Sequence, residues 1–154
     1  MSGPMTISTV SWQRGGSSGS TSGTYNSFKL YMGVAAGTEL TDTFEANYAP
    51  GTRTLVYQTP SQVMTAAPDE WMRIVLDTPY EYDGASGLIV ELQWVGGVNM
   101  FYTYMWDTGS SRGLMNKTDV TSPTGTLYTT MSELRFDDTQ ALETATFGSI
   151  KASF

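Results

Sequence analysis

Glu70-Trp71-Met72-Arg73-Ile74-Val75-Leu76-Asp77 and Leu88-Ile89-Val90-Glu91-Leu92-Gln93-Trp94-Val95 carry the strongest structural signal in the chain. In the first stretch Trp71, Arg73 and Val75 alternate with Met72, Ile74 and Leu76. In the second, Leu88, Val90, Leu92 and Trp94 alternate with Ile89, Glu91 and Gln93. A period of two puts successive side chains on opposite faces of an extended strand. The connection between them contains Asp83-Gly84 and Ser86-Gly87, which are turn formers. Gly96-Gly97 then turns the chain, so Asn99 to Asp107 reads as the hairpin partner of the second strand. Its faces are Met100, Tyr102, Tyr104, Trp106 and Phe101, Thr103, Met105.

The same pattern extends outward in both directions. Ile7 to Arg14 reads as a strand, followed by a Gly/Ser-rich loop from Gly15 to Gly23 and a second strand from Tyr25 to Gly33. Leu40 and Phe44, spaced i, i+4 within Thr38 to Tyr48, give the only helical hint, with Thr38 as a potential cap. Short strands are expected at Arg53 to Gln58, Gln62 to Ala66 and Arg112 to Asn116, and a long one from Thr126 to Phe136. About nine strands at this spacing predict an all-β fold, an antiparallel β-sandwich of jelly-roll-like type, with a closed barrel as the alternative. Trp12, Phe28, Leu30, Trp71, Ile74, Leu76, Leu88, Val90, Leu92, Leu134 and Phe136 are the expected buried residues. Residues 1–137 form one expected domain. Residues 138–154 regain apolar side chains at Leu142, Phe147, Ile150 and Phe154, which predicts that this segment packs on the domain or on a neighbour.

Composition narrows the function. The chain has 154 residues and carries 8 basic against 15 acidic side chains, a formal charge of −7. That balance excludes the massed Lys and Arg of a nucleic-acid surface. With no histidine and no cysteine, the chain lacks disulfides, thiolate metal sites, a cysteine nucleophile and His-based proton transfer. Without a base, the serines of Gly109-Ser110-Ser111 are not activated nucleophiles. No apolar run approaches the ~20 residues of a membrane span, and Met1 to Thr6 carries neither a basic nor an apolar leader segment.

Trp71 to Leu76, Pro79-Tyr80-Glu81-Tyr82-Asp83-Gly84, Leu88-Ile89-Val90-Glu91-Leu92, Gly109-Ser110-Ser111-Arg112-Gly113-Leu114, Thr124-Gly125-Thr126-Leu127 and Leu134-Arg135-Phe136 together resemble accessory β-sandwich modules of large secreted and surface proteins of bacteria. Gly87 stands where that pattern has Asn. The resemblance spans Trp12 to Phe136, and the Phe147-Gly148-Ser149-Ile150-Lys151 ending is similar to endings of bacterial secreted proteins. It implies a non-catalytic role in attachment, carbohydrate contact or architecture, outside the cell or at its surface.

Candidate sites follow from side-chain chemistry. Glu81 with Asp83, Asp137 with Asp138, and Glu91 with Glu133 have the residue types of a glycosidase acid–base pair, but they also read as solvated turn and strand-face residues. No organic cofactor is implied. Calcium is the one cation that loop oxygens at Asp83, Asp137 and Asp138, or at Asp42, Glu45 and Asn47, would take, although Asp83-Gly84 reads first as turn chemistry. Asn116-Lys117-Thr118 has the form of a glycosylation acceptor but reads as a loop. Tyr102, Tyr104 and Trp106 share one face of their strand. Exposed, they would be a platform for sugar rings; inward, they would fill a core. Trp71 and Trp94 are expected to be core. The leading expectation is a non-enzymatic structural or adhesive module acting through protein partners or self-assembly. The alternative is a carbohydrate-binding module that contacts polysaccharide through Tyr102, Tyr104 and Trp106.

Overall fold

A computed structural model describes residues 3–16, 22–99 and 101–137. Among these the chain is all-β and antiparallel, with β1 (Met5–Gln13), β2 (Ser22–Val34), β3 (Thr54–Thr65), β4 (Trp71–Tyr82), β5 (Leu88–Gln93), β6 (Gly97–Val98), β7 (Met105–Asp107), β8 (Gly113–Met115), β9 (Thr126–Tyr128), β10 (Thr130–Ser132) and β11 (Leu134–Asp137). The eleven strands exceed the nine expected. They fall into two larger sheets, β11-β1-β4 and β3-β2-β5 with β6 also on β2, and two ribbons, β10-β7 and β8-β9. None of the sheets closes on itself.

One apolar cluster draws on both larger sheets. Ile7, Val10 and Trp12 of β1 and Met72, Ile74, Leu76, Tyr80 and Tyr82 of β4 join Tyr25, Phe28, Leu30 and Met32 of β2 and Val56 and Met64 of β3. In β4 the even-numbered face turns inward, while Arg73 and Val75 are exposed. That corrects the expectation for Trp71, which lies half-buried on the opposite face beneath the Arg135 guanidinium, 5.3 Å from the ring centroid. Leu88, Val90, Leu92, Leu134 and Phe136 are also only partly buried, packed on the margin of the cluster. The β1–β4 register jumps from Ile7↔Tyr80 to Thr9↔Val75. Pro79 falls within this bulge, where its missing N–H removes no ladder bond.

Several sequence expectations change for identifiable reasons. The second quoted stretch does not pair with residues 99–107. It runs antiparallel along β2, from Val34↔Leu88 to Lys29↔Gln93. Beyond it, Val95 N donates to Asn26 O, and Thr24↔Val98 and Tyr25↔Gly97 continue along the same edge. Gly96, at φ +90°, makes the kink that returns the chain to this edge instead of a hairpin turn. The two short strands expected at Arg53 to Gln58 and Gln62 to Ala66 are one strand, β3. Pro60 is tolerated because β3 is an edge strand, paired on one side with β2. At Gln58 the N–H on the other side of β3 is taken by the Asp77 carboxylate of β4, 3.0 Å away, a charged cover for an open edge.

Thr126 to Phe136 breaks into β9, β10 and β11, each serving a different partner strand. The helical hint reduces to a 3₁₀ turn at Glu45–Asn47. There the buried Asn47 amide receives the Thr41 N–H and donates to the carbonyls of Thr41 and Thr43. A local side chain satisfying a loop backbone removes the need for helical bonds. The expectation for residues 138–154 lies outside the described residues.

A second polar assembly ties the β2 sheet to the loop before β3. The Arg53 guanidinium meets Glu91 with two bonds, 3.0 and 2.8 Å, and Tyr48 Oη donates to the same carboxylate at 2.8 Å. Arg53 also lies 3.8 Å over the Tyr31 ring, and the Tyr48 ring packs against the backbone of Gly33.

Candidate functional site

The end of β1 is held on both sides by backbone bonds, and this clamp builds the candidate site. On one side Arg14 N donates to Glu70 O at 2.8 Å, and Asp69 N to Arg14 O at 3.1 Å. On the other, Tyr104 N donates to Gln13 O and Gly15 N to Tyr102 O, each at 3.0 Å, around an Arg14↔Thr103 bridge. Glu133 N in turn donates to Tyr104 O at 2.9 Å. Four segments far apart in sequence are thereby locked to one another, and an open groove of about 520 Å³ lies among Gln13, Asp69, Tyr104, Met105, Trp106 and Glu133.

The side chains in the groove are cross-braced. Tyr104 Oη donates to Asp69 Oδ1, and Gln13 Nε2 donates to the Asp69 carbonyl at 2.8 Å. The Asp69 carboxylate, as acceptor and as neighbouring charge, pushes the Tyr104 phenol above its ordinary pKa. Asp69 itself sits at φ +67°. Asp is one of the few side chains that adopt this left-handed region readily, and residues held there gather at binding sites. Gly16 has to be small: a Cβ there would lie 2.6 Å from Asp69 Oδ1 and 2.9 Å from Tyr104 Oη. Trp106 is 59% exposed, and its Nε1–H points to Glu133 Oε2 at 3.4 Å. Met131 lies directly across the ribbon from it.

Tyr104 and Trp106 therefore lie in one groove, and both are exposed. Tyr102 is half-exposed but does not line it. Trp94, expected in the core, is 39% exposed and meets Tyr25 edge-on at 5.2 Å. Gln13 and Asp69 were not among the candidates, and Glu133 was paired with the wrong partner. Glu91 binds Arg53 and Tyr48 in the β2 sheet, whereas Glu133 belongs to the groove. The one local sign of Asp69 was its place in the turn Pro68-Asp69-Glu70.

The cation candidates are placed as follows. Asp83 accepts from Ala85 N, Ser86 N and Ser86 Oγ. These bonds, the Ser86 hydroxyl foremost, lower its pKa and account for it as a turn residue. Asp137 pairs with Arg135 at 3.3 Å. It faces Thr9 on one side of β1, while the strand leading to Asp83 pairs with Met5 on the other. Asp138 lies outside the described residues. Among the described residues no three acidic side chains gather as a metal site, and no helix is long and apolar enough to cross a membrane. Asn116 accepts from the N–H groups of Thr118 and Asp119, which makes its tripeptide a side-chain-closed loop.

No family model, curated protein or solved structure matches the chain.

Proposed function

We propose that the chain is a non-catalytic adhesive module of a secreted or cell-surface bacterial protein, and that it adheres by seating a polysaccharide in the Trp106 groove. The observation that carries this reading is a largely exposed indole beside a phenol, two carboxylates and an amide, gathered where backbone bonds clamp the end of β1 on both sides. Aromatic faces pack on the apolar C–H faces of sugar rings, while carboxylate and amide groups exchange hydrogen bonds with the hydroxyls. A site already braced loses little conformational entropy on binding. The single core fed by both larger sheets supports a β-sandwich of jelly-roll type as the architecture behind the site. The absence of histidine and cysteine supports the non-catalytic part of the reading.

Affinity electrophoresis through gels containing neutral or amino polysaccharides tests it. The expected result is retardation that Trp106→Ala removes, with at least about a tenfold loss of affinity, the value of one apolar side chain's burial. Turnover of the polysaccharide would overturn the non-catalytic assignment, and retardation equal in the variant would overturn the site.

A second reading, a structural module acting through protein contacts, is favoured by the exposed Leu55 and Val63 on β3 and Val75 on β4. Light scattering that shows large assemblies, with no retardation in any gel, would replace the first reading by this one.

A further inference from the structure

Resting on the groove as a sugar site, the charge balance of its walls narrows the ligand class. Asp69 and Glu133 contribute two formal negative charges, and among the described residues no Lys or Arg lines the groove. Asp69 Oδ1 accepts the Tyr104 hydroxyl and Glu133 Oε2 the Trp106 N–H at 3.4 Å, which among the described residues leaves one oxygen of each carboxylate for a ligand. Two arginines belong to neighbouring segments. The Arg14 guanidinium is buried and donates to Gly15 O, and Arg135 is engaged by Asp137 and the Trp71 ring. The chain as a whole carries −7, so the surrounding field has the same sign as the groove.

We propose that this groove selects glycans bearing free ammonium groups, as in de-N-acetylated amino sugars, over neutral and uronic-acid chains. A cation is attracted to an exposed indole face by the ring quadrupole. The same ammonium donates charge-assisted hydrogen bonds to the open carboxylate oxygens, which are stronger than bonds between neutral groups. N-acetylation removes the charge but keeps the ring that stacks. A uronate adds a third negative charge to a groove that already holds two, and like charges brought together repel. Because the groove is open, the preference is screened by salt, with a Debye length of about 8 Å at physiological ionic strength.

Isothermal titration with tetrasaccharides of β-linked glucosamine, β-linked N-acetylglucosamine and α-linked galacturonate tests the proposal at mildly acidic pH and low salt. The glucosamine tetramer should bind about tenfold tighter than the N-acetylated one, as one added charged hydrogen bond would provide. The galacturonate tetramer should give no heat. In the double variant Asp69→Asn, Glu133→Gln, whose fold is checked by circular dichroism, the preference for the glucosamine tetramer should fall to about threefold or less, the share left to the indole's attraction for the cation. Asn is chosen at 69 because it also accepts the left-handed backbone. Equal binding of the charged and neutral tetramers by the unaltered protein overturns the selectivity and leaves the sugar site standing. A preference that persists undiminished in the double variant overturns the role of the carboxylates. A lysine-rich peptide that binds tighter than the glucosamine tetramer overturns the glycan as ligand. No binding of any tetramer removes the sugar site itself, and the selectivity with it.

Discussion

Replacing Glu91 by Gln keeps the shape of the side chain and removes its charge. Glu91 holds two charge-assisted bonds from Arg53, at 3.0 and 2.8 Å, and one from Tyr48 at 2.8 Å. The two side chains are 26% and 10% exposed, Arg53 first. An exposed pair contributes roughly 0–1 kcal/mol, whereas breaking a fully buried pair costs about 3–5 kcal/mol. The intermediate burial places this loss at about 2 kcal/mol. For a chain of this size each kcal/mol moves the thermal midpoint by roughly 2–4 °C, so Glu91→Gln should lower it by about 4–8 °C at neutral pH. Burial opposes ionisation of Glu91, but Arg53, Tyr48 and Gln93 outweigh it and hold the carboxyl below its ordinary pKa. Ionised Glu91 therefore favours the folded state at all pH above the unfolded value of about 4.3. That contribution fades as pH falls through the lower folded value. Differential scanning calorimetry of both proteins from neutral pH down to strong acid checks this. The gap should be full at neutral pH and shrink only below about pH 4, where the unfolded carboxyl begins to bind protons first. No gap at neutral pH, or a gap independent of acid, would refute the reasoning.

Other consequences are independent of that network. Leu30→Ala, at a position with no exposed surface, should cost about 2–5 kcal/mol in urea-unfolding free energy with little change in the denaturant slope. Gly33→Ala should destabilise as well, because its Cβ would lie 2.5 Å from Tyr48 Cδ1; a combined Gly33→Ala, Tyr48→Ala variant would show less than the sum of the two losses. Gly16→Ala should leave the core intact yet separate Tyr104 from Asp69, which would bring the raised phenol back toward its ordinary value in an absorbance titration.

The strands with strict alternation were legible from the sequence, because a period of two is a property of the strand alone. Which face points inward was not. Trp71 and Ile74 lie on opposite faces of β4, and only packing against β2 and β3 selects the Met72, Ile74, Leu76 side. Strand partners were also hidden. Gly96-Gly97 has the composition of a hairpin turn, but β2 is thirteen residues long and offers a free edge that takes β5 and β6 in succession. Tyr104 and Trp106 were visible as a pair from their spacing. Asp69, Gln13 and Glu133 join them only because the end of β1 is clamped between two distant segments, an event with no local signature. Trp94 escaped the core because it follows directly on β5, the edge strand of its sheet, and stays 39% exposed.

The four tryptophans make the groove directly observable, because each contributes one indole N–H signal. The most direct test of the groove as contact surface is a two-dimensional NMR titration of the labelled protein with the glucosamine tetramer. The Trp106 indole signal and the backbone amides of Asp69, Tyr104 and Glu133 should shift together, while the indoles of Trp12, Trp71 and Trp94 stay in place. Shifts centred on Trp94 or Trp71, or no shifts at saturating tetramer, would contradict it.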